Sequence, residues 1–459
     1  MKLKIFLSFF LLQFIVLSSE KPNIIFIFAD DWGWGDLSCH GHPYIKTPNI
    51  DRLAKEGTDF TRFTVASGVC SPSRAAVMTG HFPARYNIDG HFAWVPSNAK
   101  RGMPDWLSMD APLLPRMLQK AGYATAHFGK WHLANNMIPD SPTPDKYGYD
   151  EYGAFNCAGE QMPYHEDSMH TIKFIKKSIS QKKPFFVNLW IHEPHTPFHT
   201  SPKYEWRFRE LDRPDNIYAS VLSHADDRIG EILNALDDLK IADNTLVIFS
   251  SDNGPARASK PGELKLSYDT ATGAGWGVNA SKGVTGGRKG YKGCLMEGGI
   301  GVPFIVRWPG NVKAGEINKL SPISAVDLLP TFCELAGAKM PEGYNPDGVS
   351  QVAALKGTDT ETKRSKPLFW KIGASWPIQK DKPHHWVSYA VVHQEWKLMT
   401  NKDSSYVELY NIVSDPMETV DLKEKNPEAV KSLLEKLKNW QDSLPSKPSG
   451  NVFSNLRKK

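Results

Sequence analysis

Strand-length apolar runs that end in polar or charged residues are the feature that most limits how this chain folds. The runs are Asn23 to Ala29, Tyr123 to Phe128, Phe185 to Ile191, Thr245 to Ser250 and Pro303 to Trp308. Each is nearly continuous in apolar residues, which is typical of strands buried on both faces of a sheet. Helical patterns lie between them, at Thr47 to Gly57 and Ile217 to Leu236. This order predicts an α/β fold with a large, mostly parallel (mixed) sheet sandwiched by helices.

The sequence changes character in its last quarter. Short runs around Trp370, Val387 to Val392 and Trp396 to Met399 suggest antiparallel strands. One face of a last predicted helix carries Val430, Leu433, Leu434, Leu437 and Trp440. We therefore predict a catalytic α/β domain at residues 20–360 and a smaller C-terminal α+β domain, with a short antiparallel sheet and a terminal helix, at residues 361–459. Gly254 to Gly293 is glycine-rich and irregular, which predicts a long loop over a site.

The first residues resemble a secretory signal peptide at residues 1–19. Lys2 and Lys4 precede an apolar run from Ile5 to Leu17, and the small residues Ser18 and Ser19 follow. The run is short for a membrane span, although a retained N-terminal anchor is the alternative. We expect an exported protein with no membrane contact after cleavage. The formal net charge of +5 is small for 459 residues and argues against binding to nucleic acid.

The chain contains five cysteines, too few for a fold built on disulfides. They are Cys39, Cys70, Cys157, Cys294 and Cys333. An odd number leaves at least one without an intramolecular partner, and the sequence does not decide which of the others pair. No Cys-x-x-Cys motif is present, which argues against a zinc site built from thiolates.

Carboxylates follow two of the predicted strands. Asp30 and Asp31 come directly after the first run, and Asp252 and Asn253 follow the fourth. In open parallel sheets ligands bind beyond the carboxyl ends of the strands, so these side chains are expected to meet. An all-oxygen donor set favours Ca²⁺ or Mg²⁺ over zinc. The alternative is that both motifs only form turns.

Two other runs end in basic residues, and a cysteine begins a predicted helix. His192 to His195 follows the third run, and Lys130 to His132 follows the second. Cys70 stands where the helix that ends at Gly80 begins, with Arg74 one turn on. A nucleophile beside anion-binding groups and a divalent ion fits transfer of a sulfuryl or phosphoryl group. Cys70 is otherwise a small buried residue or a thiol protease nucleophile, although such a protease needs no metal.

The string CSPSRAAVMTG resembles the signature of the type I sulfatases, which belong to the alkaline phosphatase superfamily. Further similar motifs occur in the order of that family: PNIIFIFADDWGWGD, KTPNIDRLAKEG, GKWHL, PFFVNLWIHEPHTPF, TLVIFSSDNG, KGCLMEGGIGVPFIVRWPG and ELYNIVSDPMET. The resemblance covers nearly the whole mature chain and is strongest to the arylsulfatase and N-acetylgalactosamine-6-sulfatase branch. It implies a sulfuric ester hydrolase.

The resemblance also implies a metal and a modified residue. Cys70 is expected to be oxidised to formylglycine (3-oxoalanine) by a formylglycine-generating enzyme or an anaerobic sulfatase maturase. Together with residue 70, one Ca²⁺ is expected to contact Asp30, Asp31, Asp252 and Asn253, with Mg²⁺ the less favoured ion. This agrees with the strand-end argument above.

The remaining catalytic roles are likewise implied by the resemblance. Arg74 and Lys130 stabilise the formylglycine and its charge, and His132 is the base of the second step. His195 and Lys292 bind sulfate and assist the leaving oxygen. One hydroxyl of the hydrated aldehyde attacks sulfur and the second expels sulfate, which gives covalent catalysis with its own release step.

The substrate prediction rests on aromatic and cationic side chains, most of which lie outside the signature motifs. Aromatic and cationic side chains suit stacking on sugars and pairing with their anionic groups. The candidates are His192, Trp94, Arg101, Trp106, His384 and His385. We expect a sulfated oligosaccharide or polysaccharide, specifically one with 6-O-sulfated galactose or galactosamine units. The single sequon Asn279 to Ser281 favours a bacterial periplasmic or secreted protein over a lysosomal one.

Two other functions remain open on the sequence. A phosphodiesterase or phosphonate hydrolase of the same superfamily is the first, because it shares the fold and the metal end of the sheet. A catalytically weak protein that binds sulfated glycans is the second, and it includes the case in which Cys70 stays a thiol.

Overall fold

The computed structural model describes residues 21–257, 263–358, 364–373 and 387–458. The predicted signal peptide at residues 1–19 lies outside the described residues. Among the described helices, none combines the length and apolar character that crossing a membrane requires.

The described helices and strands alternate along most of the chain. The strands are β1 (Asn23–Ala29), β2 (Thr58–Phe60), β3 (Phe63–Thr64), β4 (Ala124–Lys130), β5 (Glu151–Phe155), β6 (Phe185–Trp190), β7 (Thr245–Ser251), β8 (Leu266–Asp269), β9 (Gly273–Trp276), β10 (Phe304–Arg307), β11 (Glu316–Asn318), β12 (Ile323–Ser324), β13 (Leu368–Lys371), β14 (Tyr389–His393), β15 (Trp396–Thr400) and β16 (Val407–Asn411). The helices are α1 (Pro48–Lys55), α2 (Cys70–Thr79), α3 (Val95–Lys100), α4 (Leu114–Lys120), α5 (Asp167–Ser180), α6 (Pro202–Arg207), α7 (Arg213–Asp238), α8 (Glu297–Ile300), α9 (Leu328–Ala336), α10 (Val352–Leu355) and α11 (Pro427–Asp442).

The central sheet has eight strands in the order β11-β2-β10-β7-β1-β6-β4-β5. The four strands β7, β1, β6 and β4 are consecutive and parallel, and β10 runs antiparallel to β7. This confirms the predicted mixed, mostly parallel sheet. The strand predicted at Tyr123 to Phe128 extends to Lys130. Lys130 is therefore the last residue of a strand of the sheet, two residues before His132.

Alternate residues of β1 face opposite layers. Phe26 and Phe28 pack in a cluster with residues of α2, α4 and α9. Ile25 and Ile27 pack in a second cluster with residues of α1, α5 and α7. Since both faces are covered, every residue of β1 is buried, as its continuous apolar sequence predicts.

The C-terminal residues form the antiparallel sheet β13-β14-β15-β16, which α11 covers. This confirms the predicted short sheet and terminal helix. Leu433, Leu437 and Trp440 form the buried face of α11. Trp370 donates its indole N–H to the carbonyl of Val65 at 2.8 Å. The C-terminal sheet thereby packs on the α2 side of the central sheet, in one continuous apolar cluster.

The segment predicted as one long loop, Gly254 to Gly293, contains a β-hairpin formed by β8 and β9. Its outward side chains remain exposed, with Leu266 at 70% and Tyr268 at 74%. A hairpin with no buried face lacks the alternating pattern from which a strand is predicted, so the sequence did not reveal it.

Candidate active site

The carboxyl ends of the parallel strands meet at one edge of the sheet. Asp30 follows β1, Asp252 follows β7 and His192 follows β6, so the topology alone brings them together. The backbone N–H of Asp31 donates to Asp252 Oδ1 at 3.3 Å. The two acidic motifs, separated by more than 200 residues in sequence, are therefore in direct contact.

Helix α2 begins at this edge with Cys70 in its first turn. Cys70 is 3% exposed, and its Sγ lies 3.1 Å from His132 Nδ1. His132 Nε2 lies 3.0 Å from the carbonyl oxygen of Phe92. Because a carbonyl only accepts, Nε2 of the neutral ring carries the proton and Nδ1 is left as an acceptor toward residue 70.

A close backbone approach holds the segment of Lys292 against the start of α2. Gly293 donates its N–H to the carbonyl of Gly68 at 2.7 Å. A Cβ at Gly68 would lie 2.2 Å from the carbonyl oxygen of Cys294. Only glycine at residue 68 allows the two segments to meet, and their contact brings Lys292 to the site of Cys70.

Arg74 is fully buried and joins α2 to two strand ends. Its Nε and Nη2 donate to Asp252 Oδ2 at 2.9 and 2.6 Å. Its Nη1 donates to the carbonyl of Lys130 at 3.0 Å, and its Nη2 lies 3.7 Å from Asp30 Oδ1. Charge-assisted pairs of this kind fix the orientation of both partners.

Two lysines pair with the tandem aspartates. Lys130 Nζ donates to Asp30 Oδ2, and Lys292 Nζ lies 2.5 Å from Asp31 Oδ1. Asn253 Nδ2 also donates to Asp31 Oδ1, at 2.7 Å. We call the three carboxylates and three cations the site cluster: Asp30, Asp31, Asp252, Arg74, Lys130 and Lys292. Its formal charges cancel.

The site cluster shifts the pKa values of its members in different directions. Burial alone would raise the pKa of Asp30, but its electrostatic interactions with His195, Lys130 and Arg74 hold that pKa well below its ordinary value. Burial and the charge of Asp30 raise the pKa of Asp252 well above its ordinary value. Burial lowers the pKa values of His132 and His195 well below the usual range, which keeps both imidazoles neutral.

Two buried oxygens at this edge make no hydrogen bond within the described residues: Asp30 Oδ1 and Asn253 Oδ1. Ligand atoms of Asp30, Cys70 and Asp252 lie within 4.8 Å of one another. Buried polar atoms are normally satisfied, so open oxygens that converge point to a bound cation. Carboxylate and amide oxygens are the donors that Ca²⁺ prefers, and the residues therefore fit that ion.

A cavity of about 260 Å³ opens above this edge. Its floor is formed by the side chains for which catalytic roles were predicted: Cys70, Lys130, His132, His195 and Lys292. Arg74 lies beneath them and does not line the cavity. The floor thus combines a candidate nucleophile, a neutral base and two cations in one space.

The predicted substrate-binding residues are not gathered at this cavity. Trp106 is 3% exposed, packs in the core and donates its indole N–H to the carbonyl of Asn451, so its ring is not available to stack on a sugar. Arg101 lines a separate cavity of about 430 Å³ beside Asp89. Trp94 is 55% exposed just before α3 and is not among the residues that line either cavity.

The described residues that line this cavity also do not include the three histidines predicted as substrate-binding residues. His192 is buried, and its Nε2 lies 3.2 Å from the carbonyl of Pro197. Its ring centre is 5.7 Å from that of His195, so it supports His195 from behind the cavity. His384 and His385 lie outside the described residues.

The sequence did not indicate several residues that line the upper part of the cavity. They are Asn135, Asn136, Asn156, Asp269 and Thr270. Asparagine, aspartate and threonine are common turn residues, so nothing in their local pattern separates them from ordinary loops.

Comparison with known proteins finds family models that match most of the chain. The family model described as Sulfatase matches residues 22–338, and one described as N-sulphoglucosamine sulphohydrolase, C-terminal, matches residues 289–443. An N-acetylgalactosamine-6-sulfatase of Sus scrofa is 33% identical, over 77% of this chain and 69% of the relative. An N-acetylgalactosamine-6-O-sulfatase of Bacteroides thetaiotaomicron is 28% identical, over 92% of this chain and 93% of the relative.

A solved structure is similar to this chain over nearly its whole length. The structure of Ps i-CgsB in complex with k-i-k-neocarrahexaose has a TM-score of 0.76 and 27% sequence identity. It covers 96% of this chain, and this chain covers 96% of it.

Proposed function

The chain belongs to the sulfatase family, and from this premise we propose that it removes sulfate from a carbohydrate with a formylglycine made from Cys70 and one Ca²⁺. The chain is a sulfuric ester hydrolase. The observation that carries the proposal is the position of Cys70, 3.1 Å from His132 and above the convergent carboxylates.

The donor set supports a calcium ion held by Asp30, Asp31, Asp252 and Asn253, together with residue 70. The charges of the site cluster cancel, so its own residues give no net attraction for an anionic ester. Bound there, Ca²⁺ supplies the positive charge that stabilises negative charge on the sulfate oxygens. Lys130 and Lys292, which pair with Asp30 and Asp31 in the site cluster, also line the cavity and place their ammonium groups on its floor.

Formylglycine supplies, as a hydrated aldehyde, an oxygen nucleophile and a second hydroxyl that releases sulfate. His132 is the base that accepts the proton of that second hydroxyl. Its Nε2 is held by the carbonyl of Phe92, so Nδ1 faces residue 70 as the acceptor. A base held in one tautomer and one orientation needs no rearrangement before it accepts the proton.

Lys292 is the better proton donor to the leaving oxygen. His195 Nδ1 lies 2.6 Å from the carbonyl of Thr196, so Nδ1 carries the proton of the neutral ring and Nε2 is an acceptor. Burial would lower the pKa of Lys292, but the Asp31 carboxylate and the other anionic neighbours raise it, so Lys292 stays protonated and can hydrogen-bond to the leaving oxygen. His195 Nε2 then binds a hydrogen-bond donor of the substrate.

We propose a sulfated oligosaccharide or polysaccharide as the substrate, with 6-O-sulfated galactose or galactosamine as the sulfated unit. The names of the pig and Bacteroides relatives support this choice, and the complex of Ps i-CgsB with k-i-k-neocarrahexaose supports an oligosaccharide substrate. The upper wall of the cavity offers amides, a hydroxyl and one carboxylate, which is compatible with a sugar.

The first test examines residue 70 and turnover in the same preparation. An aldehyde reagent is expected to label the purified protein, and mass spectrometry is expected to place the label on the peptide of residue 70. Sulfate release from N-acetylgalactosamine 6-sulfate is expected to exceed phosphate release from the 6-phosphate. Faster phosphate release would favour the phosphodiesterase or phosphonate hydrolase alternative. Binding of the sulfated sugar without turnover by converted protein would favour the glycan-binding alternative.

We further propose that a formylglycine-generating enzyme or an anaerobic maturase acts on the chain, and that the chain is exported to the periplasm or the medium. Expression with and without either maturase is expected to change the labelled fraction at residue 70. N-terminal sequencing of exported protein is expected to begin near residue 20. A mature chain that retains Lys2 and Lys4 would contradict cleavage.

A further inference from the structure

The upper wall of the active-site cavity differs in charge from its floor. Among the described residues that line the cavity, Lys130 and Lys292 are the only lysine or arginine side chains, and both lie on the floor. We call Asn136, Asn156, Asp269 and Thr270 the cavity rim. The rim offers amides, a hydroxyl and one carboxylate, so an anionic group is favoured below it and disfavoured within it.

Three distant segments form the rim, and two of them are tied together. Asn136 follows β4 and Asn156 follows β5. Asp269 ends β8, and Thr270 begins the turn of the β8–β9 hairpin. Asn136 Nδ2 donates to Thr270 Oγ1 at 2.8 Å. Backbone hydrogen bonds between Phe198 and Trp276, at 2.8 and 3.0 Å, fasten the hairpin to the segment after β6. The hairpin part of the rim is therefore held by hydrogen bonds to the segments that follow β4 and β6 of the central sheet.

Several polar atoms of the rim have no partner within the described residues. Asn136 uses one amide N–H, which leaves Oδ1 and the second N–H open. The described contacts of Asp269 all use Oδ1, which accepts the N–H groups of Ala271 at 2.7 Å and Thr272 at 3.1 Å, and leave Oδ2 open. The side-chain amide of Asn156 makes no described hydrogen bond. Uncharged donors and acceptors beside one open carboxylate oxygen match the hydroxyl groups of a sugar.

We infer that the cavity rim binds the sugar that bears the sulfate and selects a sugar carrying a single sulfate. This inference rests on the proposed function. Asn136 and Asn156 hydrogen-bond hydroxyls of the leaving sugar, and Asp269 Oδ2 accepts from another hydroxyl. A second sulfate on the same sugar would meet the Asp269 carboxylate with no described cation of the rim to pair with it.

The test compares three substrates on each variant: N-acetylgalactosamine 6-sulfate, the corresponding 4,6-disulfate, and a small aryl sulfate. Wild-type kcat/KM is expected to favour the monosulfated sugar by at least about fivefold, the effect of one like-charge contact at about 4 Å in bulk water, which grows as water is excluded. Asp269→Asn is expected to reduce that preference to within about threefold, because the amide keeps an oxygen for Ala271 and Thr272 but loses the charge. Asp269→Glu keeps the charge and is expected to retain most of the preference.

Asn136→Ala tests the hydrogen bonds separately from the charge. It is expected to lower kcat/KM for the monosulfated sugar by about five- to tenfold and to leave the aryl sulfate within about twofold. Asn311→Ala is the matched control. Asn311 follows β10, which runs antiparallel to β7, so it lies at the opposite edge of the sheet and both ratios are expected to stay unchanged.

The outcomes separate this inference from the proposed function. If converted wild-type protein hydrolyses the aryl sulfate but prefers the disulfated sugar, the inference is wrong and the function stands. The same holds if Asp269→Asn leaves the ratio of mono- to disulfated turnover unchanged, or if Asn136→Ala lowers sugar and aryl turnover equally. If converted wild-type protein hydrolyses none of the three, the proposed function and the inference both fail.

Discussion

Two buried ionic clusters lie close together in this molecule, and they are built differently. The site cluster joins three carboxylates and three cations at the ends of β1, β7 and β4. The second cluster, the Arg228 network, joins Arg228 of α7 with Asp167 and Glu193. Arg228 donates from Nε to Asp167 Oδ1 at 2.9 Å, and from Nη1 and Nη2 to the two oxygens of Glu193 at 3.0 and 2.6 Å.

The difference lies in how completely each cluster satisfies its own members. Every charged atom of the Arg228 network has a described partner. At the site cluster, by contrast, Asp30 Oδ1 and the adjacent Asn253 Oδ1 are buried without a described hydrogen-bond partner. A saturated network has nothing left to bind and can only hold the fold, whereas open oxygens cost stability unless a ligand satisfies them.

The two clusters are also connected through the chain. Glu193 lies between His192 and His195, and its carbonyl oxygen accepts the N–H of Asp30 at 3.4 Å. The Arg228 network therefore fixes the loop that carries His195. The comparison teaches that a rigid, saturated cluster positions an open one.

The largest expected effect sharpens this comparison at residue 70. Cys70→Ala is expected to lower sulfate release by at least about 10⁴-fold, because the nucleophile is lost. The free energy of unfolding is expected to change by only about 1 kcal/mol, the value of one small buried group. Cys333→Ala is the matched control, since Cys333 is a buried thiol in α9 that contacts Met117 Sδ at 3.6 Å. It should cost similar stability and leave activity unchanged; equal activity in both variants would exclude Cys70 as the nucleophile.

The next largest expected effect is on the free energy of unfolding. Arg228→Met leaves Asp167 and Glu193 buried without a counterion and is expected to lower the free energy of unfolding by about 3–5 kcal/mol. Chemical denaturation measures it. Arg213→Met, at a partly exposed pair with Glu205 on the same helix, is expected to cost about 1 kcal/mol or less. Equal stability of the two variants would show that the Arg228 network does not hold the fold.

Removal of calcium tests the open oxygens directly. A chelator is expected to abolish sulfate release and to lower the free energy of unfolding by about 2.7 kcal/mol relative to protein in calcium at 100 times its dissociation constant. Arg228→Met is expected to keep most of the calcium-dependent shift, because its side-chain partners are not proposed ligands and its network reaches Asp30 only through the backbone of Glu193. Asp252→Asn is expected to lose it. A chelator that changes neither melting nor turnover would contradict the calcium site.

The smallest expected effect is the loss of stability when an exposed ion pair is removed. Lys438 and Asp442 form an exposed pair at 3.0 Å, one turn apart on α11. Asp442→Ala is expected to lower the free energy of unfolding by about 0.3–0.5 kcal/mol, and less at high salt, because water screens the pair. A loss comparable to that of Arg228→Met would remove burial as the explanation of the comparison.

Much of the fold was predictable because periodicity reports burial. The runs that became β1, β4, β6 and β7 are continuously apolar because helices cover both faces of the sheet. The start of α2 at Cys70 was likewise predictable from turn and helix signals. The β8–β9 hairpin was not, since it buries neither face and so leaves no periodic pattern.

The residue types of the reactive floor follow from the sequence itself: carboxylates after two strands, histidines after two others and a cysteine at a helix start. Only the tertiary structure decided which side chains share a cavity. It placed Trp106 in the core, it set Arg101 at another cavity, and it brought Asn136 to Thr270 across more than 130 residues. The physical reason is that strand ends are aligned by the sheet, whose pattern is local, whereas the rim is made by loops whose meeting depends on contacts between distant segments.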